Sequence, residues 1–272
     1  MVRQLTFSLL FFMAVIACAD DYIFATGKDG TEIVYTADRM IYTNWLDDCV
    51  LWMPFPSDVG GGSYPDYSIR SNHGTQTVVG ARPTWSSGSY VFDSTKTNHI
   101  DCGDVADFDK QYTAFSAMIW ARLTTTNHPI YYIFGKMAAD PNRGWMFYIT
   151  DATTTNKFAV YFHDAPTGGN LMNLISSQQV FINTWIHLAL TFSANSFVNL
   201  YANGVQVFQE TNSVINYLNG SNSITLKIGD RGDLLRTDNI MDGSMDDARI
   251  FDTALTSNQI YRIWLDTKDT HP

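Results

Sequence analysis

Trp185-Ile186-His187-Leu188-Ala189-Leu190-Thr191-Phe192, followed by Asn199-Leu200-Tyr201-Ala202-Asn203-Gly204, is the stretch on which the fold turns. Its apolar residues recur with a period of two. Ile186, Leu188, Leu190 and Phe192 share one face, and Trp185, His187, Ala189 and Thr191 share the other. Asn203-Gly204 then separates two alternating runs, and this dipeptide favours the two-residue type I′ hairpin turn. Two antiparallel strands are predicted here. His187 sits mid-strand with no acid-base partner in register, so a structural role is expected of it rather than a catalytic one.

The same pattern extends in both directions. Upstream, Ala114–Leu123 places Phe115, Ala117, Ile119 and Ala121 on one face. Further short runs of strand type recur from Ser89 to Gly229, and Cys49-Val50-Leu51-Trp52-Met53 reads as the first strand, stopped by Pro54 and Pro56. Between them, Ser57–Gly80 is a long polar loop rich in Gly, Ser, Asp and Asn. Downstream, Met245 to Phe251 reads as a last strand. Thr256 and Gln259 make a capping-box pattern that starts a helix through about Leu265. About a dozen strands with one short C-terminal helix predict an all-β protein, an antiparallel β-sandwich of the jelly-roll type. Residues 46–266 show no composition break and are read as one domain, with 267–272 as a tail.

The last strand raises a question of chemistry. Strict alternation puts Asp246, Ala248 and Ile250 on one face and Met245, Asp247, Arg249 and Phe251 on the other. Asp246 then faces the core, which is costly for a carboxylate without a partner or a cation. On the same logic Asp247 is solvated, and the adjacent acids point apart and cannot act as a catalytic pair.

The 272 residues carry 27 acidic against 17 basic side chains, a net charge of −10. This argues against nucleic acid and anionic membrane surfaces as partners. The N-terminus reads as an export signal over residues 1–19. Arg3 precedes the apolar run Leu5–Ile16, and Ala17-Cys18-Ala19 supplies small residues for cleavage. The run is too short for a comfortable membrane span. Val15-Ile16-Ala17-Cys18 also fits a lipobox, in which Cys18 would carry a lipid anchor; cleavage after Ala19 is slightly favoured. A secreted or cell-surface location follows from either reading. Residues 20–45 are expected to form an N-terminal hairpin around Gly27-Lys28-Asp29-Gly30. Two further cysteines in an exported chain suggest one disulfide, Cys49–Cys102, with two buried thiols as the alternative.

Taken together, Trp185-x-His187 with its following strand, Asn203-Gly204, Lys227-Ile228-Gly229, the closing Asp242-Gly243 to Leu255 stretch, and Asp66-x-Ser68 through Asn72-His73-Gly74 resemble laminin G-like jelly-roll domains. These belong to the concanavalin A-like lectin/glucanase superfamily. The resemblance covers about residues 48–265 and speaks more to fold than to function. It implies a Ca²⁺ between the first loop and the closing strand, for which Asp66, Asn72 and Asp246 are the candidate ligands. The alternative is that Asp66 forms an Asx-turn and Asp246 caps backbone N–H groups. The chain departs from the family in an insertion around Gly60–Tyr64 and in a long loop from Asp230 to Asn239.

Carbohydrate-degrading relatives use paired acids on one strand face. Here Glu32 and Glu210 lie far apart and in no such pattern, and no zinc-type His/Cys cluster or nucleophile elbow is present. No catalytic residue is assigned. Among the aromatics, Trp85, Tyr90, Trp145, Tyr148, Tyr161 and Tyr217 are candidates for stacking on sugars, and Trp145 and Tyr217 flank turn-like stretches. The expected role is non-catalytic binding or adhesion, directed at a glycan or an extracellular protein. A hydrolase or lyase on the same fold and a structural envelope protein are the alternatives.

Overall fold

The computed structural model describes residues 47–125, 129–139, 142–150, 156–163, 171–211, 217–219, 222–232 and 241–271, together with the backbone of four strands between 12 and 43. Residues 1–11, most of the Gly27–Gly30 turn and Pro272 lie outside the described residues. The chain divides into two units, Met1–Cys49 and Val50–Pro272.

The first unit is a four-stranded antiparallel meander of Phe12–Ala19, Tyr22–Gly27, Glu32–Thr36 and Met40–Thr43. Thr26 pairs with Glu32 and Tyr22 with Thr36. Phe12–Ala19, the end of the segment read as an export signal, runs alongside Tyr22–Gly27.

The second unit is a sandwich of two antiparallel sheets. One runs in the order Leu171–Gln179, Lys157–His163, Asn142–Thr150, Ile130–Ala139, Lys227–Ile228, Ile100–Asp101, Gly74–Thr75 and Ser63–Tyr64. The other runs Val205–Thr211, Phe197–Ala202, Ile186–Ser193, Ala114–Leu123, Gly243–Phe251, Ser89–Phe92 and Thr84–Ser86, with Cys49–Met53 also paired to Gly243–Phe251. The hairpin at Asn203-Gly204 forms as its sequence dictates. Both residues take positive φ (49° and 75°), and Ala202 pairs with Val205.

The faces predicted from alternation meet in the core. Phe115, Ala117, Ile119 and Ala121 pack with Ile186, Leu188, Leu190 and Phe192, against Trp145, Phe147, Ile149, Phe158, Val160 and Phe162 of the other sheet. Phe115 meets Trp145 at 4.8 Å between ring centroids, and Phe162 meets Phe192 at 5.7 Å. These contacts cross the sandwich, and each such ring contributes roughly 3–5 kcal/mol against truncation to Ala.

The second sheet is covered on its outer face as well. The helix Ser257–Thr267 begins at the predicted capping box, with the Thr256 side chain and Gln259 exchanging bonds. It buries Ile260 and Ile263. Met118, His187, Ala189 and Thr191, which point away from the core, are therefore fully buried too. Two-sided burial explains why all nine residues of Gly243–Phe251 are buried.

Cys49 and Cys102 are both buried thiols, not the disulfide that the sequence suggested. Cys49 opens a strand paired to the second sheet, whereas Cys102 follows Ile100–Asp101 of the first.

Candidate functional site

The opening loop is organised by one carboxylate. Asp66 Oδ1 accepts the N–H groups of Trp52 (2.7 Å) and Ser68 (2.8 Å), and Oδ2 accepts the Ser68 hydroxyl and the Asn72 N–H, both at 2.7 Å. Asn72 donates its amide to Val50 O (2.8 Å) and Asp107 Oδ2 (3.0 Å). His73 Nδ1 accepts the Asp66 N–H at 3.0 Å. Four protein donors fill the acceptor sites of Asp66, so the loop holds its shape through an Asx-type knot. A Ca²⁺ shell needs those same oxygens. The residues present do not fit that cation: Asp66 and Asn72 belong to this knot, and Asp246 belongs to another network. Among the described residues no group of three His, Cys, Asp or Glu is placed to hold a metal.

Asp246 does not face the core either. Met118 pairs with Arg249, but Trp120 pairs with Asp246, so the closing strand carries one extra residue opposite Ile119. This is a β-bulge, and Asp247 adopts φ 49° at it. Asp tolerates that left-handed conformation better than most residues. The bulge resets the alternation. Met245 before it and Ala248 and Ile250 after it all join the core, which leaves Asp246, Asp247 and Arg249 together on the outer face.

There the three side chains build a buried polar cluster. Arg249 grips Asp247 with two bonds, Nε to Oδ1 and Nη2 to Oδ2, both 2.9 Å. Trp52 Nε1 donates to Asp247 Oδ1 at 2.8 Å, and the Arg249 guanidinium lies 4.8 Å from the Trp52 ring centroid. Asp247, read from the sequence as solvated, is 4 % exposed, and it rather than Asp246 ties the first strand to the last. Asp246 Oδ2 faces His271 Nε2 at 2.8 Å, while its Oδ1 has no hydrogen-bond partner. Burial pushes the Asp246 carboxyl above the usual range, opposed by the bond to His271 and by the neighbouring Asp247 N–H. His271 stacks on Trp120 at 4.4 Å with 6° between planes, and Trp185 meets its edge at 5.1 Å. Trp120 Nε1 donates to Thr267 Oγ1 at 2.8 Å, fastening the end of the helix. Beside them His187 is fully buried with neither ring nitrogen bonded, and burial pushes it down to about 3.

A cleft of about 370 Å³ opens over this cluster. Its floor is Asp246, Asp247, Arg249 and His271; Trp52, Pro54, Phe55 and Pro56 form an apolar wall, and Thr267 and Thr270 add hydroxyls. Phe55 holds φ 44° although it precedes a proline, a position that favours extended backbone. Phe55 is therefore a strained non-glycine residue on this cleft, and such strain clusters at functional sites.

A family profile described as the concanavalin A-like lectin/glucanases superfamily matches residues 93–261. The chain belongs to this superfamily. No curated protein matches it in sequence. Among solved structures, this superfamily member resembles the binding domain of Paraclostridial mosquitocidal protein 1 (TM-score 0.64, 16 % identity, 81 % of this chain and 52 % of that one). It also resembles the botulinum neurotoxin serotype G binding domain (0.60, 17 %, 80 % and 51 %). A third is the serotype D ligand-binding domain in complex with N-acetylneuraminic acid (0.58, 16 %, 81 % and 51 %). The chain spans about half the length of each, and the likeness is one of fold.

Of the aromatic candidates, Trp145 is not placed to meet a ligand. It pairs with Phe162, points inward with Phe147 and Ile149, and is fully buried in the core. Tyr217 is half-buried at a bend before Leu218–Asn219 and does not line this cleft. Sequence reasoning missed Trp52, Phe55, Arg249 and His271. The flanking prolines of Phe55 and the adjacent acids Asp246-Asp247 were the available signals.

Proposed function

We propose that this superfamily member is a non-catalytic glycan-binding module that acts outside the cell, and that the cleft over Asp246 is its saccharide site. The observation that carries the reading is the composition of that cleft: an apolar wall of Trp52, Pro54 and Phe55 against a floor of Asp246, Arg249 and His271. A sugar ring presents C–H faces to aromatic and proline surfaces, and its hydroxyls bond in pairs to carboxylate and guanidinium groups. The binding domains that share the fold, one of them solved with N-acetylneuraminic acid, support a binding role. The export-signal reading of residues 1–19 supports the location.

The bulge brings both acids to one cleft, which reopens the hydrolase reading that alternation closed. Asp247 argues against it, because Arg249 and Trp52 occupy both of its oxygens, whereas the two-carboxylate mechanism needs a second group able to reach water or the sugar. A glycan array probed with the chain tests the proposal. Specific binding that is lost in Asp246→Asn supports it. Absence of binding across neutral and acidic glycans, or release of reducing sugar from a bound glycan, contradicts it.

A further inference from the structure

A second cleft, of about 240 Å³, lies between the opening loop and the hairpin Thr84–Phe92, and shares no lining residue with the first. Its walls are Asp58, Val59, Gly60, Gly62 and Tyr64 from the loop and Arg82, Pro83, Thr84, Trp85 and Tyr90 opposite. This is where the sequence carries its insertion. Tyr64 is only 1 % exposed, yet no described residue bonds its hydroxyl. Tyr64 lines the cavity together with Tyr90, Arg82 and Asp58, and its ring meets that of Tyr90 edge-on at 5.1 Å between centroids. The Tyr90 hydroxyl is already engaged, accepting Val59 N–H at 3.0 Å and donating to Ser57 O at 3.4 Å.

Arg82 is fixed beside it. Its Nε donates to Gln76 O at 2.9 Å and Nη1 to Gly60 O at 3.4 Å. The guanidinium packs so closely over Gly62 that a Cβ there would come within 2.4 Å of Nε, and Gly62 takes φ 74°. Both partners are neutral carbonyls. No carboxylate within ion-pair distance compensates Arg82 among the described residues, and Asp58 instead accepts the Gly60 N–H at 2.9 Å. An immobilised, uncompensated guanidinium beside a buried phenolic O–H with no acceptor is a pair of donors aimed at an anion. Trp85, half-buried on the same wall, offers an apolar surface for whatever the anion is attached to.

We propose that this cleft is a separate ligand site that takes a carboxylate carried on a sugar-sized ring, as in a uronic acid residue. Arg82 and Tyr64 bind the carboxylate, Trp85 meets the ring, and exposed Asp58 weakens the field without closing the site. Burial raises the Tyr64 phenol, so it remains a donor at neutral pH.

Calorimetric titration of the full chain with glucuronate, glucose and inorganic sulfate tests this. Saturable binding of glucuronate is expected, with glucose at least tenfold weaker, since the charge-assisted bonds are absent. Sulfate is expected to compete. Tyr64→Phe removes only an unbonded hydroxyl; it should leave the Tm unchanged and weaken glucuronate about tenfold. Asp58→Asn should tighten it. No glucuronate binding, glucose bound as tightly as glucuronate, or wild-type affinity in Tyr64→Phe would each overturn the assignment.

Discussion

His187 has no bond to either ring nitrogen and sits fully buried against Trp120. In the unfolded chain such a ring takes up a proton near pH 6.5. In the folded state it stays neutral down to about 3. The stability it contributes is full above pH 6.5 and drains as pH falls through that window, at a slope approaching 1.4 kcal/mol per pH unit, about the value for one proton. His187→Leu should remove this acid limb and, because no bond is lost, gain about 1 kcal/mol at neutral pH. Urea midpoints at pH 7 and pH 4.5 check it; an unchanged acid slope would contradict the account. Asp246 runs the other way. Its carboxyl is raised by burial, so its contribution is present at low pH and declines as pH rises through the folded value. Asp66 yields a simpler expectation. With its acceptor sites filled by four protein donors, the Tm should be the same in Ca²⁺ and in chelator; a clear rise with Ca²⁺ would show a cation site.

The closing strand shows where pattern reading stops. Its identity as a strand, the capping box after it and the helix were all legible, because each rests on local chemistry. The direction of its side chains was not, because one extra residue at Asp247 shifts the register and reverses every face assignment before it. Alternation placed Ala248 and Ile250 correctly and Asp246 wrongly for that reason. The bulge is fixed by side-chain bonds as well as by backbone. Asp247→Ala would leave Arg249 buried without its carboxylate and Trp52 Nε1 without an acceptor. A loss of about 3–5 kcal/mol is expected, as for a broken buried ion pair. Asp247→Asn keeps the tolerance for positive φ and an acceptor for Trp52, so it should cost less. Equal losses in denaturant melts would contradict this, showing that the charge pair with Arg249 alone holds the bulge.

At the scale of the molecule, the sandwich follows from period-two runs whose apolar faces meet, as Phe115 on Trp145 and Phe162 on Phe192 do. The clefts did not follow, because clefts arise from residues far apart in sequence: Trp52 and Phe55 line one with Asp246 and His271. Trp145 illustrates the reverse error. Its neighbouring turn suggested exposure, but its register turned it into the core. Cys49 and Cys102 are both buried thiols in this fold. A thiol reagent should therefore react with neither in the folded unit and with both in denaturant, whether or not reductant is present; a disulfide would keep both unreactive until reduced. The most direct test of the binding role is the affinity of the best-bound array glycan for the wild-type chain and for Asp246→Asn, measured by calorimetry beside a melting curve for each. The account predicts tenfold or greater weakening with the fold intact. Wild-type affinity in the folded variant would contradict it.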